Sequence, residues 1–140
     1  MRLVFALIAF GLAGAAHAQP NPCPGALPRP GTTFGGIVRM VLDGDTMCVS
    51  EKPYFKTWIK IRLADFDAPE LKRPGGDAAK AALEDIAMGR RVVCVSGGRS
   101  FDRAVARCAI EGKAVGAFMR DEGIEEGGHR GVVELVAEAL

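Results

Sequence analysis

Two short acidic segments carry the side chains in this sequence that are best suited to chemistry. Asp43 and Asp45 stand directly before one β-rich run, and Asp67 and Glu70 stand directly after another. Carboxylate oxygens that cluster without His or Cys are ligands for a hard cation, Ca²⁺ or Mg²⁺. If the two runs pair as a hairpin, the acidic segments meet at one end of it, which predicts a cation site there. The Asp-Gly-Asp segment taken alone is more typical of an ordinary turn.

Two arginines, Arg62 and Arg103, add positive charge to these carboxylates. A guanidinium presents forked N–H donors that match the oxygens of a phosphate. Arg62 lies five residues before Asp67, so a regular strand would send the two side chains to opposite faces, and a bend after Leu63 is needed to bring both to one site. A bound cation and two guanidiniums together stabilise the charge that grows on a phosphoryl group under in-line attack. These residues therefore favour phosphoryl transfer.

The elements that must position these side chains are mostly short strands. Apolar and polar residues alternate along 59–63, as in a strand with one buried face. Ala79, Leu83 and Ile86 fall on one face of a helix that Asp77 can cap. The predicted strands cover 32–42, 46–50, 59–63, 90–96 and 103–110, with Gly97-Gly98 as a turn and a second helix over 115–122. This order predicts a mainly β fold with helices, a five-stranded barrel of the oligonucleotide-binding type with two to three packed helices.

The ends of the chain differ in composition from the region between them. Residues 1–18 have the form of a signal peptide, with Arg2, an apolar run and a small-residue cleavage site before Gln19. That run of about 14 residues is shorter than the roughly 20 that a membrane anchor needs. The predicted organisation is a signal peptide at 1–18, a Pro-rich arm at 19–31, a barrel domain at 32–124 and a short acidic C-terminal tail at 125–140. We therefore expect a secreted or periplasmic monomer with no membrane attachment after cleavage.

Export changes the interpretation of the four cysteines, Cys23, Cys48, Cys94 and Cys108. An even number without C-x-x-C spacing, in an oxidising compartment, favours disulfides over zinc or a redox motif. Buried free thiols are the alternative, since free cysteines are often buried. Four cysteines allow three pairings. Cys94 and Cys108 lie in successive predicted strands, which favours a bridge between them and leaves Cys23 for Cys48.

Charge is balanced over the chain but not along it. With Arg2 removed, basic and acidic residues are equal in number, and the segment from Asp121 onward carries six acidic residues against Arg130 alone. The body of the chain is therefore mildly basic and its end acidic. Such a body suits local contacts with phosphates, whereas a general nucleic-acid binder usually shows a strong basic patch.

Several short motifs occur here in the order and spacing of a known family. They are D-G-D-T at 43–46, I-R-L-A-D-F-D-A-P-E at 61–70, F-D-R-A-V-A-R-C at 101–108 and E-G-K-A-V-G-A-F-M-R-D-E-G at 111–123, with an alanine-rich helix between the second and the third. Over about residues 33–124 the chain resembles the staphylococcal nuclease-like (thermonuclease) family. The resemblance implies a five-stranded barrel with packed helices and a Ca²⁺-dependent phosphodiesterase that cuts DNA and RNA toward 3′-phosphate products.

The resemblance also implies roles for the acidic residues. Asp45 and Asp67 would bind Ca²⁺ together with the backbone carbonyl of Ala68. Asp43 matches an acidic neighbour that tunes the site. Glu70 matches the residue proposed as the general base for the attacking water, which is a usual task for a positioned carboxylate.

Four positions concern the substrate. Arg62 and Arg103 match the two arginines on the scissile phosphate. Phe101 stands where the family often has a tyrosine that helps to hold the nucleotide, and Asp102 replaces a glycine and places a negative charge beside Arg103. The resemblance thus implies a metal-dependent nuclease with DNA and RNA as substrates.

A second function class stays open. The family's long last helix is replaced here by the acidic tail at 125–140, and the charge of the chain is balanced. Because a barrel does not dictate a function, the alternative is a catalytically weak or inactive nuclease-like barrel that binds nucleic acid or a protein partner.

Overall fold

A computed structural model describes residues 14–127 of the 140-residue chain. The predicted signal peptide lies outside the described residues up to residue 13, and residues 14–18 are exposed and without regular structure. The predicted acidic tail lies outside them from residue 128 onward. No helix in the described part of the chain is both long and apolar enough to cross a membrane.

Five strands close into a barrel on which two helices pack, which confirms the predicted mainly β fold of the oligonucleotide-binding type. The elements are β1 (Thr33–Asp43), β2 (Thr46–Ser50), β3 (Ile59–Leu63), α1 (Gly76–Ala87), β4 (Arg91–Ser100), β5 (Arg103–Ile110), the two-residue β6 (Lys113–Ala114) and α2 (Val115–Asp121). β1 pairs antiparallel with β2 and β4, β2 pairs with β3, and β4 pairs with β5. The parallel pairing of β3 with β5 closes the barrel.

The interior of the barrel and the inner faces of both helices form one apolar core. Along β5 every second residue is buried, from Ala104 to Ile110, as expected for a strand with one face inside. Leu83 of α1 and Met119 of α2 are completely buried in the same core. The buried face of α1 is the one that the sequence predicts, and it fixes the helix against β1.

The hairpin between β4 and β5 is longer than predicted. The prediction of a turn at Gly97-Gly98 was wrong, because β4 continues to Ser100 and the turn is formed by Phe101 and Asp102. The pairing with β5 shifts by one residue between Ser96 and Gly98, so the glycines form a bulge inside the strand. The chain reverses at Phe101, whose φ is +56°. The longer hairpin carries Phe101 and Arg103 to its tip.

Helix α1 begins before its predicted capping residue. Its N-cap is Gly75, at φ +85°, and Asp77 lies in the first turn, so the prediction of an Asp77 cap was wrong. Gly76 is buried against the carbonyl oxygen of Glu70, so close that a Cβ atom would not fit. This contact between glycine and the acidic turn fixes the start of α1 next to Glu70.

Two disulfides join Cys23 to Cys48 and Cys94 to Cys108, which confirms the favoured pairing. Cys94 and Cys108 are directly opposite each other on β4 and β5. Cys23 is buried and ties the Pro-rich arm to β2. Disulfides of this kind persist in oxidising compartments.

Candidate active site

The hairpin of β2 and β3 brings the two acidic segments together. Thr46, the first residue of β2, is opposite Arg62 near the end of β3. The Leu63 N–H donates to the Asp45 carbonyl at 2.8 Å, which extends the contact past the last paired residue. Asp43 holds the turn, because its Oδ1 accepts the Asp45 N–H at 3.0 Å. The chain before β2 and the chain after β3 therefore leave the barrel side by side.

Arg62 joins the two carboxylates that the sequence predicts as metal ligands. Its Nη2 lies 2.6 Å from Asp67 Oδ1 and 3.2 Å from Asp45 Oδ2. Its Nη1 donates to the carbonyls of Leu63 and Phe66, at 2.5 and 2.7 Å. These carbonyls face the guanidinium because the backbone leaves the strand direction after Leu63, where β3 ends. The bend required to bring Arg62 and Asp67 to one site is present.

Asp45 is a buried carboxylate whose negative charge is only partly compensated. Its Oδ2 also accepts the Ala68 N–H at 2.8 Å, and its Oδ1 accepts the Thr46 hydroxyl at 3.2 Å. Burial raises the pKa of Asp45 from 3.8 to about 6, nearby Asp43 adds to the rise, and the Arg62 guanidinium opposes it. Burial therefore outweighs the effect of Arg62 and disfavours the ionised form of this carboxylate.

Glu70 lies on the exposed side of the same turn. Its side chain is open to solvent, whereas Pro69 before it is buried. Its carbonyl accepts the Arg73 N–H at 2.8 Å, so the backbone at Glu70 is fixed while the carboxylate is free to meet water. A solvent-accessible carboxylate on a fixed turn is suited to proton transfer.

Arg103 reaches the site from the tip of the β4–β5 hairpin. Its Nη2 donates to Ser100 Oγ at 3.0 Å, its Nε to the Ser100 carbonyl at 3.4 Å, and its Nη1 to the Thr46 hydroxyl at 3.3 Å. None of the ion pairs within residues 14–127 includes Arg103. Its charge therefore remains available to an anion.

Phe101 and Asp102 form the turn beside Arg103. Phe101 is 95% exposed, so its ring has no packing partner to lose when it meets a ligand. Asp102 Oδ2 accepts a hydrogen bond from Lys60 Nζ at 2.9 Å, and this bond lowers the pKa of Asp102. The acidic side chain beside Arg103 is therefore bound to Lys60 of β3, and it forms no ion pair with Arg103 within residues 14–127.

One cavity of about 360 Å³ collects these groups. Its lining includes every residue that the sequence predicts for metal, catalysis or substrate: Asp43, Asp45, Arg62, Asp67, Ala68, Glu70, Phe101 and Arg103. A second cavity of about 350 Å³ adjoins it at Arg62 and Asp67 and is lined mainly by apolar side chains. The predicted residues come from three separate segments and face one space.

The donors around the cavity are compatible with a hard cation. Within residues 14–127, no three side chains of His, Cys, Asp or Glu come together as a metal site by themselves. The predicted donor set is smaller, with the carboxylates of Asp45 and Asp67 and the carbonyl of Ala68. All three donors are oxygen atoms, which Ca²⁺ prefers, and burial raises the pKa of Asp45, so a bound cation would offset the cost of keeping this carboxylate ionised.

Three further residues of the site were not predicted. Thr46 and Ser100 hold Arg103, and Glu126 accepts the Asp67 N–H on Oε1 at 3.0 Å. Thr46 belongs to the D-G-D-T motif, which could have indicated it, whereas Glu126 is 59 residues from Asp67 in the chain. Only the path of the chain after α2 brings Glu126 to the site.

No protein-family model matches this chain, and no curated protein matches it significantly. The resemblance to the staphylococcal nuclease-like family therefore stays a prediction from the motifs.

Proposed function

We propose that this protein is a secreted, Ca²⁺-dependent phosphodiesterase of the staphylococcal nuclease-like family that hydrolyses DNA and RNA. The observation that carries the proposal is the shared cavity. Two guanidiniums, from Arg62 and Arg103, and the carboxylates of Asp45, Asp67 and Glu70 line one space of about 360 Å³. A phosphodiester needs cationic groups around its oxygens and a base beside the attacking water, and these residue types supply both.

Asp45, Asp67 and the Ala68 carbonyl are the groups that would hold Ca²⁺. When bound, the cation supplies positive charge to a phosphoryl oxygen. The protein contributes the fixed positions of its donors: Asp45 is held by Ala68 N–H and Thr46, and Asp67 is held by Arg62. Donors that are fixed before the ligand arrives need little rearrangement during the reaction.

Both arginines line the cavity and would neutralise the charge of a phosphate bound there. Arg103 donates to two hydroxyls and one carbonyl but has no carboxylate partner within residues 14–127, so its charge is available to phosphate oxygens. Arg62 keeps its contacts with the carbonyls of Leu63 and Phe66 and also lines the cavity. Both cations stabilise the charge that develops on the phosphoryl oxygens.

Glu70 acts as the general base. Its carboxylate takes a proton from a water molecule as the water oxygen forms a bond to phosphorus. The bond from phosphorus to the 5′-oxygen breaks in line with this attack, the 5′-oxygen takes up a proton from solvent water, and the phosphate remains on the 3′-oxygen. The exposure of Glu70 at the rim of the cavity supports this role, since water reaches its carboxylate directly.

Secretion is supported by the signal-like residues 1–18 and by the two disulfides. N-terminal sequencing of protein recovered outside the cytoplasm is expected to begin at Gln19. Recovery of an uncleaved chain that begins at Met1 would contradict export.

Digestion of plasmid DNA and of RNA by the purified mature protein tests the proposed activity. We expect cleavage with Ca²⁺ and none with a chelator, and cleavage should return when excess Ca²⁺ is added. A folded protein that cuts equally well in chelator, or that cuts in neither condition, would contradict the proposal.

A non-catalytic barrel is the second candidate, and one contact favours it. Arg62 Nη2 already bridges Asp45 and Asp67, so the centre has a positive charge without any metal. A barrel of this kind would bind nucleic acid or a protein partner with an affinity that responds neither to chelator nor to Glu70→Gln. Binding measurements with and without Ca²⁺, made on the protein samples used for digestion, separate the two candidates.

A further inference from the structure

The segment that follows α2 returns to the acidic turn after β3. Gly123, at φ +75°, ends the helix, and Ile124 packs against the core. Glu126 Oε1 then accepts the Asp67 N–H at 3.0 Å, and the Gly127 N–H donates to the Asp67 carbonyl at 3.1 Å. Both backbone hydrogen-bonding groups of Asp67 are thus bound by the start of the acidic tail.

These two bonds complete the set of contacts that orient the turn. The carbonyl of the preceding residue, Phe66, accepts from Arg62, and the N–H of the following residue, Ala68, donates to Asp45. Asp67 itself lies outside any strand, so no neighbouring strand satisfies its N–H. Arg62 and Asp45 belong to the β2–β3 end of the barrel, whereas Glu126 comes from a distant part of the chain. The start of the acidic tail therefore supplies the hydrogen bonds to the Asp67 backbone, which the β2–β3 end of the barrel does not supply.

Gly127 fits its place in a way that a larger residue would not. A Cβ atom at this position would lie 2.6 Å from Pro69 Cγ and 2.9 Å from Pro69 Cβ. Real Cβ atoms do not approach other carbons so closely, so the chain meets the turn at this distance because residue 127 is glycine. The close approach keeps the Glu126 carboxylate within hydrogen-bond distance of Asp67.

We propose that Glu126 is a positioning residue that orients Asp67 for cation binding. The inference rests on the proposed function, in which Asp67 is a Ca²⁺ ligand. With the Asp67 N–H bound by Glu126, the peptide is fixed and the side chain extends toward Arg62 and the cavity. Partners that orient a ligand from behind commonly change metal affinity by about 10- to 100-fold when they are removed.

Three variants test the proposal, with two measurements on each. Glu126→Ala removes the acceptor, Glu126→Gln keeps an acceptor oxygen without the charge, and Glu125→Ala is the matched control, since Glu125 is an exposed neighbour. Amide hydrogen exchange at Asp67 reports the hydrogen bond itself, and calorimetric titration with Ca²⁺ reports its effect on the site. Neither measurement depends on nuclease activity.

For Glu126→Ala we expect exchange at Asp67 to become about tenfold faster and Ca²⁺ affinity to fall by about 10- to 100-fold, while exchange along β5 is unchanged. Glu126→Gln should recover most of both losses, and Glu125→Ala should match the wild type. Unchanged exchange at Asp67 in Glu126→Ala would overturn the proposal. Faster exchange with unchanged Ca²⁺ affinity would overturn the positioning role and leave an ordinary backbone contact.

Failure of the proposed function gives a different result. A wild-type protein that binds no Ca²⁺ would contradict the assignment of the metal site. The exchange rate at Asp67 would still decide whether Glu126 holds the turn.

Discussion

The two arginines that line the cavity differ in how the fold holds them. Arg62 donates to two backbone carbonyls and to Asp67 at 2.5 to 2.7 Å, forms an ion pair with Asp45 at 3.2 Å, and its side chain is only 20% exposed. Arg103, at the tip of the β4–β5 hairpin, donates to two hydroxyls and one carbonyl at 3.0 to 3.4 Å. The Arg62 guanidinium is thus held between two carboxylates and two carbonyls, whereas Arg103 lacks an ionic partner within residues 14–127.

This difference separates two tasks that look alike in the sequence. Removing Arg62 would leave two carboxylates close together without their shared cation, so we expect it to affect folding as well as function. Removing the fork of Arg103 disturbs only weak contacts, so we expect it to affect the substrate alone. The predictions below test this division, starting with the largest effect.

The largest effect is expected at Asp45, the buried carboxylate beside Arg62. Asp45→Ala should abolish Ca²⁺ binding and Ca²⁺-dependent cleavage together, because the same carboxylate is a predicted ligand and the partner of Arg62. Asp85→Ala is the control, since Asp85 is exposed on α1. Calorimetric titration and digestion measure both effects, and a variant that loses one property while it keeps the other would contradict the proposed metal site.

The lysine substitutions of the two arginines compare the regions directly. Arg62→Lys and Arg103→Lys should each slow cleavage by about 100-fold, since lysine keeps the charge but not the fork. Arg62→Lys should also lower the free energy of unfolding by about 2 kcal/mol, because the carbonyls of Leu63 and Phe66 lose a donor.

Arg103→Lys should change the free energy of unfolding by less than about 0.5 kcal/mol, as surface substitutions usually do. Denaturant titration of both variants provides the measurement. Equal losses of stability would show that the fold holds the two arginines alike.

The pH dependence of stability tests the uncompensated charge at Asp45. Its pKa is raised from 3.8 to about 6 in the folded protein, so the folded state binds a proton more tightly than the unfolded state. The resulting stabilisation is complete below about pH 4 and is lost as pH rises through about 6. In chelator, the free energy of unfolding of the wild type should fall by on the order of 2 kcal/mol between pH 4 and pH 7, relative to that of Asp45→Asn. Parallel curves for the two proteins would contradict this.

The smallest effect is expected where the hairpin tip is tied to β3. Asp102→Asn weakens the contact with Lys60. Because the Asp102 side chain is half exposed, the free energy of unfolding should barely change. Cleavage should fall by less than about tenfold, because the tip that carries Phe101 and Arg103 becomes less well placed. A salt titration of the cleavage rate checks this, since the wild type should approach the variant as salt screens the pair.

Local patterns in the sequence predicted most of the fold. The alternation along β3 and the prolines and acids after it placed the end of that strand at Leu63, where it is. Adjacent predicted strands gave the Cys94–Cys108 disulfide, and the remaining pair followed. These features depend on neighbouring residues or on neighbouring strands, which is the information that a single sequence contains.

Features that no local pattern indicates were missed. Gly97 and Gly98 are typical of a turn, but Gly98 pairs with Val105 and the ladder continues to Ser100, so the glycines form a bulge inside β4. The contact of Asp102 with Lys60 was not predicted, because it depends on the ladder between β3 and β5. The contact between Glu126 and Asp67 has no local pattern at all, because it arises from the path of the chain after α2.

The most direct test of the proposed activity is the single-turnover cleavage rate of Glu70→Gln beside the wild type, at saturating Ca²⁺. The ion pairs of Arg62 within residues 14–127 are with Asp45 and Asp67, and not with Glu70. The exposed Glu70 side chain makes no hydrogen bond in this part of the chain that the change would break. We predict unchanged Ca²⁺ and DNA binding and a cleavage rate lower by about 10²- to 10⁴-fold, the usual contribution of a positioned base. A folded, Ca²⁺-bound wild type that cleaves no faster than Glu70→Gln would contradict the assignment of this site as a phosphodiesterase.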